Sequence, residues 1–343
     1  MKILSFVIPA YNSEIYLDKC VSSMITPETL DKVEVIIVND GSTDGTTAVA
    51  DRYCVKYPDS VRLISQENKG HGGALNTGCA AATGKYIKVV DADDSVFTEN
   101  LKEFISLLEL CESDVVLTHH STINVSTGEI KNWRNYPPEF AKSYTFDEIM
   151  PNWKSFDRSL TFHGITYNRE FYRKYGISLS EHVFYEDHEY ATFPCCHAKT
   201  VTPFDLIIYN YRVGDASQSV SETNQLKRIG HVEAVLKKML EGYAKFPDDE
   251  PNGKFYIAMK IQGLLLSYLT TVLLVESDKK TGRSLAARQM DICKQAAPKV
   301  YELTKSKYNF FTLLNRLHIQ KSTWDKLLNS GVYNKLRHNH DFE

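Results

Sequence analysis

Tyr86-Ile87-Lys88-Val89-Val90-Asp91-Ala92-Asp93-Asp94 is a hydrophobic run of buried-strand type that stops at three clustered carboxylates. A strand ending in acids delivers oxygen ligands to the rim of a sheet, where a divalent cation can hold a diphosphate. Asp91 and Asp93 are two residues apart, so on an extended backbone both carboxylates point to the same side. An oxygen-only set of this kind suits Mg²⁺ or Mn²⁺. Taken alone, the stretch favours a second reading, a solvated acidic turn that merely caps a strand.

Outward from this run, strands and helices alternate through the first hundred residues, the pattern of an α/β sheet with mainly parallel strands and crossover helices. Strands are expected at 3–8, 33–38, 61–64 and 86–90, with helices at 14–25, 43–57 and 73–82. In open sheets of this kind ligands bind beyond the carboxyl ends of the strands. Pro9-Ala10-Tyr11-Asn12 and Asn39-Asp40-Gly41-Ser42-Thr43-Asp44 occupy two more such ends. A helix over 100–110 and a strand over 114–118 follow, and 119–160 reads as an irregular insertion near the site. Further helices are expected near 168–175 and from Glu186, and paired strands at 198–202 and 206–211.

From Thr223 the period changes. Leu226, Ile229, Val232, Leu236, Met239, Tyr243 and Phe246 mark one apolar face of a helix, and the remainder reads as helical to about Leu328. The chain therefore divides into an α/β part, 1–222, and a mainly α-helical part, 223–343. Charge changes sign at the same place: residues 1–222 have 20 basic and 31 acidic side chains, whereas 223–343 have 20 and 12. Such a basic part suits an anionic polymer or membrane surface, and equally a solvated helical surface. The apolar stretch 261–275 reads as too short and too polar for a membrane span. The run 3–8 is a first strand rather than a secretory signal. Seven scattered cysteines without a Cys-x-x-Cys pair speak against a disulfide framework or zinc site and for a reducing cytoplasm.

Asp40, at a strand tip, suits hydrogen bonds to the imide of a uracil or the hydroxyls of a ribose, and Tyr11 suits an aromatic wall for a base. Asn68-Lys69-Gly70-His71-Gly72-Gly73-Ala74-Leu75-Asn76 is a glycine-rich helix start that lets backbone N–H groups approach a ligand, with Lys69 adding charge. It lacks the Gly-Lys-Ser/Thr ending of a Walker loop. Each piece also has a purely structural explanation in turns and close packing.

In combination, order and spacing, these motifs closely resemble the N-terminal half of the family-2 glycosyltransferases, inverting enzymes with a GT-A fold. The likeness is strong over about the first 110 residues and looser to about 222. It implies that Pro9, Ala10, Tyr11 and Asp40 line the nucleoside site. Lys69, Gly72 and Asn76 would lie beside the donor, and Asp91, Ala92 and Asp93 would form the DxD element that reaches ribose, diphosphate and metal. Phe184-Tyr185-Glu186-Asp187-His188 resembles the family's Glu-Asp element, which makes Asp187 the general base and Glu186 an acceptor or phosphate contact. An acidic helix start is the plain alternative.

The segment from Tyr209 to Ser221 resembles one that closes the site in several members. Arg212 is then expected to pair with phosphate and Asp215 with sugar or acceptor hydroxyls. Many members have a second basic residue near Asp215, and this chain does not. His163 and His188 read as ordinary packed histidines.

The resemblance implies a UDP-sugar donor, a saccharide acceptor on a surface polysaccharide, teichoic-acid-like polymer or lipid-linked glycan, and no nucleic acid. The Gln-x-x-Arg-Trp element of processive synthases is missing, which points to one transfer per encounter by a cytoplasmic enzyme, soluble or peripheral on the membrane's inner face. Self-association through 223–343 is a further expectation. Two rival classes stay open: a sugar-nucleotide-forming nucleotidyltransferase, which would want a basic glycine-rich loop where Pro9-Ala10-Tyr11-Asn12 stands, and a non-catalytic binding module.

Overall fold

The computed structural model describes residues 1–215 and 222–328. Contacts divide the chain into two units, Met1–Gln218 with Asp248–Tyr256, and Ser219–Pro247 with Ile257–Glu343.

The described residues of the first unit form a ten-stranded mixed sheet. Strands β1 (Leu4–Ala10), β2 (Val33–Asp40), β3 (Val61–Gln66) and β4 (Tyr86–Val89) run parallel in the order β3-β2-β1-β4. Helices α1 (Glu14–Ser23), α2 (Thr46–Lys56) and α3 (Gly70–Ala81) cross between them. Every residue of β1 and β2 is buried, as strands covered on both faces require. Pro9, which lacks an N–H, is tolerated in the central β1 because it lies past Val7–Val89, the last β1–β4 pair.

The chain continues through β5 (Ser95–Val96), α4 (Thr98–Leu110), β6 (Val115–Asn124), β7 (Ile130–Trp133), β8 (Tyr144–Thr145), α5 (Phe146–Ile149), β9 (Ile165–Asn168), α6 (Arg169–Tyr175), α7 (Asp187–Thr192) and β10 (Thr200–Val213). Strand β9 lies antiparallel between β4 and β6, and β10 runs parallel to β6. The first four expected strands are present. The insertion at 119–160 proves more regular than expected, since β6 extends to Asn124 and forms a hairpin with β7. The two strands expected at 198–202 and 206–211 are one strand: the register of β10 against β6 shifts between Pro203 and Tyr209, so the proline is absorbed in a bulge rather than a turn.

The second unit is helical: α8 (Glu222–Lys227), α9 (Ile229–Lys245), α10 (Pro251–Thr270, beginning in the segment grouped with the first unit), α11 (Lys279–Ala296), α12 (Pro298–Arg316) and α13 (Lys321–Leu328). The helix expected from Thr223 breaks at Arg228, whose φ is −101°. Val232, Leu236, Met239 and Tyr243 form the buried face of α9 as their spacing predicts. The apolar stretch is longer than expected, a helical run from Pro251 to Val275 that by length and composition alone is able to cross a membrane. Burial within the protein argues against a span instead: Tyr256, Ile257, Ile261, Leu265, Tyr268 and Leu269 are all covered.

Glu34 on β2 joins the early strands. Its Oε1 accepts from Ser5 Oγ on β1, from Thr83 Oγ1 at 2.8 Å and from Gly84 N at 3.1 Å, while Oε2 meets Arg62 of β3 at 3.1 Å. Burial favours the neutral acid, but these donors outweigh it and hold the carboxyl below its usual range. A depressed carboxylate stabilises the fold above its unfolded-state pKa, and that contribution disappears as pH falls through the folded value. Glu34→Gln is therefore expected to cost about 2 kcal/mol at pH 7 in urea unfolding, with the gap to the parent protein shrinking on acidification.

Candidate active site

The carboxyl ends of β1 and β2 are adjacent, Ala10 facing Asn39, and their following loops are knitted together. Asn12 N donates to Ser42 Oγ at 3.0 Å, Asn12 Oδ1 accepts from Thr43 N at 2.8 Å, and Glu14 N donates to Asp44 at 3.1 Å. Asn12 adopts φ +49°, a conformation asparagine tolerates better than most residues. Tyr11 is left 53% exposed beside this platform. Asp40 is buried, and its Oδ1 accepts from Gln66 Nε2 at 2.7 Å and Lys69 N at 2.9 Å, so it shapes the start of α3 while the Lys69 side chain stays exposed.

Strand β4 ends at Val89. Val90 N still donates to Val7 O, but Asp91 N turns away to the Tyr209 hydroxyl at 3.1 Å, and Asp94 N closes a turn onto Asp91 O at 3.0 Å. The extended geometry expected for Asp91 and Asp93 is thus absent. The turn itself gathers the acids, with carboxylate oxygens of Asp91, Asp93 and Asp94 all within 4.8 Å of one another. Tyr209 also donates to Asp94 Oδ2 at 2.6 Å, and Arg212 N donates to Asp94 Oδ1 at 2.7 Å, so β10 clamps the turn. Burial, then repulsion from Asp91 and Asp93, pushes the Asp94 carboxyl well above its ordinary pKa. Asp91 and Asp93 remain as hard oxygen donors, a set that fits Mg²⁺ or Mn²⁺.

His71 is the residue that the sequence reading missed. Its Nε2 meets Asp91 Oδ1 at 2.8 Å and its Nδ1 meets Glu186 Oε1, joining the acid turn to the Glu-Asp element through one ring. Burial alone would lower the imidazole pKa, but Glu186 and Asp91 outweigh it and raise it well above the usual value. Asp91 is correspondingly held low, its own burial being overcome by His71. Glu186, almost fully buried, is raised by desolvation despite His71. The only signal in the sequence was a histidine flanked by Gly70 and Gly72.

Those glycines let the chain before α7 lie against α3. Gly70 has φ +75°, and a Cβ on Gly72 would stand 2.2 Å from Ser180 O and 2.9 Å from Glu186 Cγ. Both ends of the Asn76 amide are engaged by Leu179, Nδ2 to its O at 3.0 Å and Oδ1 from its N at 2.8 Å. Gly72 and Asn76 therefore position the Glu186 segment in this structure. Glu186 is the N-cap of α7 and Asp187 its first residue, half-buried. Asp187 acts electrostatically on His163 and Tyr211, as does Asp91, so both acidic elements are felt by the same two rings. His163 stacks on Tyr211 at 4.3 Å, and burial lowers its pKa to about 4, which keeps it neutral at pH 7 and in line with an ordinary packed histidine.

Arg212 pairs with Asp215 at 3.0 Å and lies 4.8 Å over the Tyr16 ring, beside a cavity of about 120 Å³ that Asp93 also lines. The rest of the expected closing segment, 216–221, lies outside the described residues. Lys88, fully buried behind the acid turn, donates to His163 O at 2.9 Å, and burial lowers its pKa to about 7.

The parallel strands β3-β2-β1-β4 thus place the acid turn and the glycine-rich start of α3 at their carboxyl ends, where open α/β sheets bind ligands. The family described as glycosyl transferase family 2 matches residues 5–176, half of the chain, and the chain belongs to that family. It is 37% identical over 140 residues to an uncharacterized glycosyltransferase of Escherichia coli K12, YibD, a match covering 41% of this chain and 40% of that protein. It is also 37% identical over 139 residues to Escherichia coli chondroitin synthase, covering 39% and 20%. The matches thus span two fifths or less of these relatives. An S. aureus TarS fragment, solved in complex with UDP-GlcNAc, superposes with a TM-score of 0.63 at 19% identity over 93% of each chain, a likeness of fold.

Replacing His71 by alanine leaves the buried Glu186 carboxylate without its counter-charge. The expected cost is about 2 kcal/mol in denaturant unfolding at pH 7, and it should shrink as pH rises through the raised imidazole pKa, because the parent protein then loses the same positive charge.

Proposed function

We propose that this chain is a metal-dependent, inverting glycosyltransferase that moves a sugar from a nucleotide-sugar, with a UDP-sugar as default donor, to a saccharide hydroxyl. The observation that carries the reading is the continuous link Asp91–His71–Glu186, which ties the acid turn to the element holding Asp187. Family membership supports the reaction class, and the UDP-GlcNAc held by the TarS fragment of like fold supports the donor class.

In this reading Tyr11 and Asp40 border the nucleoside, Pro9 and Ala10 form the strand end beneath it, and Lys69 adds positive charge beside the diphosphate. Asp91 and Asp93 would hold Mn²⁺ or Mg²⁺, with Ala92 packed between them. When bound, such an ion supplies Lewis acidity that offsets charge developing on the departing diphosphate. Asp187 takes the proton from the acceptor hydroxyl as its oxygen bonds to the anomeric carbon; the carbon–oxygen bond to diphosphate breaks, and its electron pair leaves with the nucleotide. Attack opposite the leaving group inverts the anomeric centre. Glu186, fixed by His71, orients Asp187, while Arg212 and Asp215 face phosphate or sugar hydroxyls.

The proposed acceptor is a surface polysaccharide, a teichoic-acid-like polymer or a lipid-linked glycan, and the proposed setting is the cytoplasm. Residues 1–222 are proposed as the catalytic domain, with 223–343 serving acceptor, membrane-surface or subunit contact.

Screening UDP- and GDP-sugars for Mn²⁺-dependent hydrolysis and transfer tests the reading; no turnover with any donor would refute it. Asp187→Asn is expected to keep UDP binding by calorimetry while transfer falls about 10³-fold. Asp93→Asn is expected to lose the Mn²⁺-dependent part of UDP binding. Transfer at the parent rate by Asp187→Asn would remove the base assignment.

A further inference from the structure

The basic excess of the C-terminal part is concentrated in its last helices. Residues 279–328 contain 11 Lys and Arg against 3 Asp and Glu. The same helices expose apolar surface. Among the described residues of the second unit, the exposed large hydrophobics are Ile292 on α11, and Leu303, Phe310, Leu313 and Leu317 on or immediately after α12. At 100° per residue these last four fall on one side of α12, while Val300, Thr304 and Asn315 face the interior. The stripe from Leu303 to Leu317 is about 21 Å long at 1.5 Å per residue. Lys299 and Lys307, both exposed, flank it, and Trp324 of α13 packs edge-on against Phe310 with ring centroids 5.4 Å apart.

We propose that this face of α12 docks onto an anionic lipid surface, the leucine and phenylalanine side chains entering the headgroup–acyl boundary while the flanking lysines meet lipid phosphates. The combination decides between occupants. An anionic saccharide polymer would engage the lysines but gains nothing from a row of leucines, which offer it no hydrogen bonds. A second copy of the chain would cover the leucines but would bring two strongly basic faces together. A lipid surface satisfies both components at once. The inference is independent of the transfer reaction.

The test is sedimentation of the full chain with vesicles of phosphatidylcholine alone, and with vesicles in which about one lipid in three is phosphatidylglycerol. Binding is expected to be about tenfold tighter to the anionic vesicles and to weaken at high salt. The double variant Leu313→Glu/Leu317→Glu, at exposed positions, should bind about tenfold more weakly with an unchanged melting temperature. Lys299→Glu/Lys307→Glu provides a second variant that leaves the apolar side chains in place and should lose mainly the preference for anionic vesicles. Equal binding to both vesicle types, or parent-level binding by both variants, would overturn the proposal. So would light scattering that shows a dimer of the full chain converted to monomer by the leucine variant, because the occupant would then be a second copy.

Discussion

Like-charge repulsion at the carboxyl end of β4 is the constraint around which the site is arranged. Three carboxylates lie within 4.8 Å of one another in a turn, where burial makes their charges more expensive than in water. The fold meets this constraint from two directions. From α3, His71 places an imidazole between Asp91 and Glu186; from β10, Tyr209 and the Arg212 N–H hydrogen-bond Asp94, whose carboxyl is pushed toward the protonated form. The three acids thus become chemically distinct: Asp91 is held charged, Asp94 is committed to the scaffold, and Asp93 borders the cavity beside Arg212.

The second acidic element depends on the same balance. The segment before α7 reaches α3 only because Gly70 and Gly72 present no side chain there, and it does so at a conformational cost visible at His182 and Tyr185, with φ +57° and +74°. Leu179 on Asn76, His182 N on Lys69 O and the Ser180–Glu189 pair offset that cost with hydrogen bonds. In consequence the position of Asp187 is coupled through packing to the turn that holds Asp91 and Asp93.

Much of this was legible along the chain. Local apolar runs bounded by turn chemistry marked the first four strands, and the acids at their ends were conspicuous because such residues are out of place in a buried sheet. Less legible were features set by distant partners. The geometry of Asp91 and Asp93 depends on Tyr209, 118 residues from Asp91, and the role of His71 depends on Glu186, 115 residues away. The strands expected at 198–202 and 206–211 are one because pairing with β6 on both sides of Pro203, a residue local rules disfavour in a ladder, carries the strand through a bulge.

Sequence alone determined the alternation of parallel strands and crossover helices, the family, the acidic and glycine-rich motifs and the change of charge near residue 222, all carried by short-range patterns. Tertiary structure decided which carboxylate keeps its charge, which glycines serve close packing and which side chains of α12 are exposed among the described residues. Those outcomes follow from electrostatics and burial between residues far apart in the chain, and neither falls off with sequence separation in a way that local periodicity can register.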